Sequence, residues 1–335
     1  MISAQLYFTA SRQIEIREET LPPLQAGQVL VRSLCSAISP GSEMLVYRGL
    51  FPKGMVDPVD PYSSGLEYPL KYGYANVGRV ESVGDEVDLA WADRLVFSCQ
   101  PHGGHYIAPI EVLHPLPQGF DLEAACFLAN METGVNLVQD AAPILGENVV
   151  VLGQGVVGLL TAALLVEFPL EQLVTADFFE IRREASRSLG ASASFNPKEE
   201  GFAEQVRSVL PWGADATIEV SGSPEALNDA VELTGFGGRI VIGSWYGERK
   251  AEVDLGGKFH RSRIRMIASQ VSTIAAPLSD RWDKQRRLNA AWAALERIKP
   301  EKWVTHRFRL EDAASAYALI DQYPQDCIQV LLTYD

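Results

Sequence analysis

The spacing of apolar and polar residues changes near position 121. Before it, short apolar runs alternate with polar residues and are separated by Gly and Pro, as in 27–32 and 78–84. This alternation predicts short, half-buried strands in a β-rich barrel or sandwich. The segment 57–68 is rich in Pro, Ser and Gly, and is therefore predicted to be a surface loop.

Between residues 148 and 243, apolar β-branched runs alternate with segments of helical periodicity. Strands are predicted at 149–152, 173–177, 216–220 and 239–242, and helices at 182–189, 202–209 and 224–233. Alternating strands and helices indicate a parallel sheet with helices on both faces. A last strand, predicted at 328–333, follows this α/β region. We expect it to pair within the first domain.

These changes divide the chain into two predicted domains. A length of 335 residues suits two domains that each bury a core of their own. We predict a first domain made of 1–125 and 273–335, and a dinucleotide-binding domain at 126–272 inserted into it.

Composition narrows the functional classes. The net charge of −14 argues against binding to nucleic acids or anionic membranes, which need a basic face. The four cysteines form no C-x-x-C pair and are too few for a disulfide scaffold, so we expect a cytoplasmic protein.

The uncharged stretch 149–166 has the length of a membrane helix. Because three glycines interrupt it, a buried strand followed by a buried helix is predicted instead.

A glycine-rich turn follows the strand predicted at 149–152. It reads Gly153, Gln154, Gly155, Val156, Val157, Gly158. The pattern G-x-G-x-x-G between an apolar strand and an apolar helix is typical of dinucleotide-binding turns. Gly153 would permit the turn, Gly155 a close approach to the pyrophosphate, and Gly158 the packing of the helix on the strand. The helix N-terminus would offer N–H groups to the phosphates.

An acidic residue ends the second predicted strand of this domain. Asp177 lies about 20 residues after Gly158, the spacing expected for a carboxylate that binds the ribose hydroxyls. Such a carboxylate would repel a 2′-phosphate, so we expect NAD rather than NADP. Arg182 and Arg183 follow and could offset part of this preference. Alternatively, Asp177 only caps the next helix.

Several segments resemble medium-chain dehydrogenases/reductases. They are EVSGSPEAL at 219–227, GGRIVIG at 237–243, GDEV at 84–87 and THRF at 305–308. The resemblance covers nearly the whole chain. It implies an α/β architecture in which a GroES-like β-barrel catalytic domain carries an inserted Rossmann domain with a doubly wound parallel sheet. It also implies assembly into a homodimer or homotetramer.

The same resemblance implies further cofactor-binding residues. It places Thr133 near the nicotinamide, Val220 and Ser221 along the adenosine and ribose, and Ile242, Gly243 and Ser244 at the carboxamide.

Zinc-dependent relatives hold their catalytic metal with Cys, His and Cys. The corresponding positions here hold Ser39, Tyr74 and, approximately, Ala129. These residue types cannot replace Cys and His as zinc ligands, so we expect no zinc.

Without a Lewis acid, hydrogen-bond donors must stabilise charge on the reacting oxygen, and a side chain must move a proton. The catalytic candidates are Tyr74, His102, Ser42 and Ser39, with His105 and Lys71 as further donors. Each has a structural alternative: a buried tyrosine or histidine satisfied inside the fold, the start of a helix at Ser42 and Glu43, or a solvated lysine.

Two regions, 38–43 with 68–74 and 245–282, are similar to a zinc-less branch that includes bacteriochlorophyllide hydroxyethyl dehydrogenases. The sequence therefore predicts a zinc-independent oxidoreductase that transfers a hydride between NAD(H) and a small secondary alcohol or ketone. Two alternatives stay open. One is reduction of an activated C=C bond, as in quinone or enoyl reductases, and the other is an NAD-binding sensor without turnover.

Overall fold

The chain forms two units in the computed structural model, which describes residues 1–52 and 66–334. One unit comprises Met1–Ala129 and Leu295–Asp335, and the other comprises Asn130–Ala294. The first unit thus uses both ends of the chain. The chain re-enters it within a helix, later than residue 273. Most of the loop predicted at 57–68 lies outside the described residues.

The strands are short in both units. In chain order they are β1 (Ile2–Ala10), β2 (Gln13–Thr20), β3 (Gln28–Ile38), β4 (Asn76–Val83), β5 (Leu95–Ser98), β6 (His105–Pro109), β7 (His114–Pro115), β8 (Asn148–Leu152), β9 (Gln172–Ala176), β10 (Ala193–Phe195), β11 (Ala214–Glu219), β12 (Thr234–Ile242), β13 (Arg265–Ala268), β14 (Val304–Arg309) and β15 (Gln329–Thr333).

Apart from α1, the α-helices of the described residues begin after residue 121. They are α1 (Ser42–Arg48), α2 (Leu122–Ala125), α3 (Leu128–Ala141), α4 (Val156–Leu165), α5 (Glu180–Leu189), α6 (Phe202–Val209), α7 (Ala226–Leu233), α8 (Lys284–Ile298) and α9 (Ala313–Gln322).

The second unit is built on a parallel sheet with strand order β10-β9-β8-β11-β12-β13. Alternate residues of β8 enter two separate apolar clusters, Val149 and Val151 in one, Val150 and Leu152 in the other. The sheet is therefore covered on both faces, as the sequence predicts. The strand order reverses between β8 and β11, which is where doubly wound sheets bind dinucleotides.

The first unit contains a mainly antiparallel sheet with strand order β14-β15-β3-β4-β5-β7, in which β6 also pairs with β3. The last strand, β15, pairs antiparallel with β3, with Val330 opposite Ile38. This pairing confirms that the C-terminal strand returns to the first domain. The hairpin β1-β2 contributes Leu6 and Phe8 to a core that also includes Met44 of α1 and Tyr317 of α9.

The uncharged stretch 149–166 is divided between β8, the glycine-rich turn and α4, as predicted. Within residues 1–52 and 66–334, no helix combines the length and apolar character needed to cross a bilayer.

A fully buried arginine links α8 to α3 in the second unit. Arg287 of α8 donates to Oε1 of Glu132 at 3.0 and 2.8 Å, and to Oδ1 of Asn136 at 2.6 Å. It also donates to the carbonyl oxygen of Thr273 at 2.9 Å. A buried guanidinium is costly unless it is paired in this way. The network fixes α3, which carries Thr133 next to Glu132.

Candidate active site

The glycine-rich turn has a geometry that only glycine permits at two positions. Gly153 has φ +93°, and a Cβ there would lie 2.4 Å from the Cα of Ser221. A Cβ on Gly158 would lie 1.9 Å from the carbonyl oxygen of Gly153. Gly155 differs, because the nearest atom to its Cβ position is Nη1 of Arg182 at 3.9 Å. The space beside Gly155 is therefore open to a ligand.

The helix α4 begins directly after its N-cap residue, Gly155, which has no side chain to accept the first N–H groups of the helix. Its first N–H groups are thus available to an anion. Gln154 is fully buried, and its side-chain amide donates to the carbonyl oxygen of Gly153 at 2.9 Å. Val156 is buried and Val157 is half-buried. These side chains support the turn, and its backbone fits the pyrophosphate of a dinucleotide.

Asp177 follows β9 and is buried. Its Oδ2 accepts the N–H of Gln154 at 2.7 Å, and its Oδ1 accepts the N–H of Phe179 at 2.9 Å. Arg182 brings Nη1 to 3.9 Å from the same Oδ2 and stacks on the Phe179 ring. The carboxylate is therefore tied to the glycine-rich turn as well as to the residues that precede α5.

The other predicted cofactor residues of the sheet lie at the carboxyl ends of neighbouring strands. Val220 and Ser221 follow β11, Ile242 ends β12, and Gly243 and Ser244 come next. The hydroxyl of Ser244 accepts the N–H of Gly222 at 2.9 Å, which joins the two loops. Because β11 and β12 are parallel neighbours, these residues share one edge of the sheet.

Thr133 lies on α3, which packs against this edge. A Cβ on Gly243 would lie 2.5 Å from Cδ2 of Leu137, so this glycine permits close contact with α3. Thr133 is one helical turn before Leu137 and lies on the same face of the helix.

A buried carboxylate at this edge is not among the residues predicted from the sequence. Glu219 ends β11 and is fully buried. It accepts hydrogen bonds from Ser221 and from Tyr246. The only sequence signal for Glu219 is that an acidic residue ends a strand made mostly of uncharged residues.

The first unit brings together three of the four catalytic candidates. The Tyr74 hydroxyl donates to Oγ of Ser39 at 2.5 Å and also hydrogen-bonds to Ser42. We call Ser39, Ser42 and Tyr74 the hydroxyl cluster. Burial raises the pKa of Tyr74 to about 12, and the nearby charge of Glu43 acts in the same direction. The phenol therefore stays protonated at neutral pH and can donate a hydrogen bond.

Glu43 fixes the position of Ser39 within the hydroxyl cluster. It is fully buried in the first turn of α1, and its Oε1 accepts the N–H of Ser39 at 2.9 Å. Its Oε2 accepts the Tyr317 hydroxyl at 2.5 Å and lies 2.9 Å from Nε2 of His102.

His102, the fourth candidate, is fully buried. Besides the contact of Nε2 with Glu43, its Nδ1 lies 2.6 Å from Oγ of Ser36. Both ring nitrogens are engaged inside the fold, so the geometry favours the structural alternative for His102. Ser36, His102 and Glu43 have the connectivity of a hydrolase triad. However, Ser36 is fully buried and hydrogen-bonded to Tyr334, so it is not placed as a nucleophile.

Each of the two further donors lies close to a carboxylate. Nε2 of His105 is 3.2 Å from a carboxylate oxygen of Glu81, and Nζ of Lys71 is 3.1 Å from Glu19. Both contacts favour their structural alternatives.

Three positions of the first unit are those at which the resemblance places the zinc ligands of relatives. Ser39 and Tyr74 hydrogen-bond to each other, and Ala129 has no donor atom in its side chain. Across the described ranges 1–52 and 66–334, no three His, Cys, Asp or Glu side chains are arranged to hold a metal ion. Hydroxyls and a methyl group do not match the nitrogen and sulfur ligands that zinc prefers.

Comparison with known proteins shows similarity along most of the chain. Residues 156–286 match the family described as zinc-binding dehydrogenase. Sorbitol dehydrogenase 1 of Saccharomyces cerevisiae is 28% identical over 75% of this chain and 78% of its own length. The starvation-sensing protein RspB of Escherichia coli K12 is 24% identical over 96% of both chains.

Solved structures share the fold at lower identity. An alcohol dehydrogenase of Escherichia coli CFT073, solved with NADH, has a TM-score of 0.81 and 20% identity, with 99% of both chains covered. The 2R,3R-butanediol dehydrogenase of Bacillus subtilis has a TM-score of 0.80 and 17% identity, with 99% of this chain and 100% of that chain covered.

The fold and these similarities define the class of protein. The predicted architecture, a catalytic domain with an inserted Rossmann domain, is confirmed. These similarities support an NAD(P)-dependent oxidoreductase that resembles medium-chain dehydrogenases/reductases and, over residues 156–286, the family of zinc-binding dehydrogenases. The family match lies within the second unit, and it includes none of Ser39, Tyr74 and Ala129.

Replacing Gly155 with Ala separates folding from cofactor binding. The backbone at Gly155, with φ −65° and ψ −174°, suits alanine, and its Cβ would meet no atom closer than 3.9 Å. We therefore expect an unchanged melting temperature. The added methyl group would hold the pyrophosphate away, so NADH should bind at least about tenfold more weakly in a fluorescence titration.

The control is Gly41→Ala, at a glycine with no atom within 4 Å of its Cβ position and an ordinary negative φ. This variant should bind NADH like the wild type. Equal NADH affinity in Gly155→Ala and the wild type would contradict the assigned phosphate site.

Proposed function

We propose that this protein is a zinc-independent dehydrogenase that transfers a hydride between NAD(H) and a secondary alcohol or ketone, in a branch similar to bacteriochlorophyllide hydroxyethyl dehydrogenase. The observation that carries the proposal is the hydroxyl cluster, in which Tyr74 contacts Ser39 and Ser42 where zinc-dependent relatives hold metal. The names sorbitol dehydrogenase and butanediol dehydrogenase among the relatives support a hydroxyl-bearing substrate.

The cluster supplies the electrostatic part of the reaction. When bound, the nicotinamide ring accepts or donates the hydride. With substrate bound, the Tyr74 hydroxyl turns its one proton from Oγ of Ser39 to the substrate oxygen and stabilises the negative charge that develops there. In ketone reduction the phenol gives its proton to the alkoxide, which is the stronger base. Ser39 and Ser42 hold the phenol oxygen, and Glu43 fixes Ser39 through the Ser39 N–H at 2.9 Å.

The cofactor is NAD rather than NADP in this proposal. A carboxylate at Asp177 favours ribose hydroxyls and repels a 2′-phosphate. The neighbouring Arg182, at 3.9 Å, offsets part of that repulsion.

Replacing Tyr74 with Phe removes the proposed donor and little else. We expect kcat to fall about 10²–10³-fold, the effect of deleting one donor to a developing oxyanion. The wild-type kcat should show no loss from tyrosine ionisation below about pH 11, because the Tyr74 pKa is raised to about 12. Steady-state reduction of ketones by NADH between about pH 6 and pH 10, the direction in which the phenol gives up its proton, measures both effects.

The matched control is Tyr106→Phe. Tyr106 is also buried, and its hydroxyl accepts a hydrogen bond from Ser98 at 2.7 Å, away from the cluster. This control should keep its kcat. A similar kcat in Tyr74→Phe and Tyr106→Phe would refute the role of Tyr74.

The same assays distinguish the other reactions. A panel of secondary alcohols, polyols, ketones, enones and quinones tests reduction of an activated C=C bond. Turnover of enones or quinones alone would replace the alcohol proposal, and NADH binding without any turnover would favour a sensor.

Cofactor preference tests the role of Asp177. The wild type should bind NADH more tightly than NADPH, and Asp177→Asn should shift the ratio of the two dissociation constants toward NADPH by about tenfold, because one repelling charge is removed. The control is Asp215→Asn, since Asp215 also accepts a backbone N–H, from Asn148 at 2.8 Å. Asp215 lies near the start of β11, at the opposite end of the strand from the cofactor loops. Tighter binding of NADPH by the wild type would overturn the assignment.

Zinc independence is tested directly. Elemental analysis of the purified protein should find far less than one zinc per chain, and activity should survive treatment with a strong chelator. Stoichiometric zinc whose removal abolishes turnover, and whose return restores it, would show that a metal performs the role assigned to Tyr74.

A further inference from the structure

The buried carboxylate of Glu219 lies where three loops of the second unit meet. Its Oε1 accepts the N–H of Ser221 at 2.7 Å and the Ser221 hydroxyl at 2.5 Å. Its Oε2 accepts the hydroxyl of Tyr246 at 2.5 Å. Ser221 belongs to the loop after β11, and Tyr246 belongs to the loop after β12.

Backbone contacts join the same loops. The N–H of Gly243 donates to the carbonyl oxygen of Glu219 at 2.9 Å, and the N–H of Gly222 donates to Oγ of Ser244 at 2.9 Å. The third loop is the glycine-rich turn, because Gly153 packs directly against Ser221. A Cβ on Gly153 would lie 2.4 Å from the Cα of Ser221. Glu219 therefore sets the distance between three loops at one edge of the sheet.

Burial gives these contacts their strength. Glu219 is fully buried, so its side chain depends on protein donors instead of water. Burial, together with the adjacent Glu219 charge, raises the pKa of Tyr246, which keeps this hydroxyl protonated as a donor. Hydrogen bonds to a charged group are stronger than those between neutral groups.

We propose that Glu219 and, from the loop after β12, Tyr246 are positioning residues that hold the loop after β11 in the arrangement that receives the adenosine half of the dinucleotide. This inference rests on the dinucleotide site assigned above, but not on the identity of the substrate. It requires no contact between Tyr246 and the cofactor, because Tyr246 acts through Glu219.

Tyr246→Phe removes one hydroxyl and keeps the ring. We expect the variant to bind NADH about tenfold more weakly, the effect of losing one hydrogen bond to a charged group. The affinity for ADP-ribose should fall by the same factor, since this ligand carries the adenosine half of the dinucleotide. The KM for NAD⁺ should rise in parallel, while kcat at saturating NAD⁺ changes less than about twofold. Titration of the full-length protein with each ligand, together with steady-state kinetics, measures these effects.

The matched control is Tyr7→Phe, which deletes a tyrosine hydroxyl that donates to Glu19 in the first unit. It should leave NADH and ADP-ribose binding unchanged. Equal affinities in Tyr246→Phe and the wild type, or equal losses in Tyr246→Phe and Tyr7→Phe, would overturn the proposal. A loss of kcat without a change in KM would also overturn it.

A double mutant tests whether Tyr246 acts through Glu219. Glu219→Gln should weaken ADP-ribose binding, and adding Tyr246→Phe to it should cause little further loss, because interacting residues are not additive. Additive losses would mean that Tyr246 acts independently. If Glu219→Gln does not fold, Ser244→Ala replaces it in the series. This variant loosens the same loops at Gly222 and should weaken ADP-ribose binding.

The result is separable from the proposed reaction. If the wild type binds NADH but oxidises no alcohol, the reaction is wrong and the binding series still decides this inference. If alcohols are oxidised and Tyr246→Phe binds ADP-ribose like the wild type, the inference is wrong and the reaction stands.

Discussion

Three buried carboxylates, each bonded to a backbone N–H of a loop, organise both units. Glu43 accepts the N–H of Ser39 at 2.9 Å, Asp177 that of Gln154 at 2.7 Å, and Glu219 that of Ser221 at 2.7 Å. Burying a carboxylate is unfavourable unless donors surround it. Each carboxylate therefore fixes the conformation of a loop, and each of these loops carries a candidate functional residue.

Tyrosine hydroxyls complete two of these carboxylate sites. Tyr317 donates to Glu43, and Tyr246 donates to Glu219. Burial and the nearby negative charge raise the pKa of both phenols, so they remain donors. The same conditions act on Tyr74, which lies close to Glu43. A buried acid thus produces a protonated phenol beside it, which is the group that a reaction without a metal needs.

The sequence predicts features that depend on local periodicity. Alternation of strands and helices predicts the parallel sheet, and the observed α6 matches its predicted bounds. Glycine spacing predicts the phosphate-binding turn, because Gly153 and Gly158 meet local steric requirements and Gly155 leaves space for a ligand. The last strand is also predictable, since an unpaired strand after a complete sheet needs a partner elsewhere.

Contacts between distant residues are not predictable in this way. Glu43 meets His102 and Tyr317 only after the first unit has closed, and Glu219 meets Tyr246 across two strands. A histidine in a loop after a strand suggests a catalytic base, but the burial of His102 and the engagement of both its ring nitrogens become evident only in three dimensions.

The two units carry different kinds of information about function. The family match lies entirely in the second unit, where phosphate binding constrains glycines and strand ends. The positions at which the resemblance places zinc ligands lie in the first unit, where this chain has Ser39, Tyr74 and Ala129. A fold can keep its cofactor site while the chemistry of its catalytic site changes. The family description is therefore strong evidence for the cofactor and weak evidence for the metal. The reaction has to be inferred from the side chains of the first unit, where the Tyr74 hydroxyl hydrogen-bonds to Ser39 and Ser42.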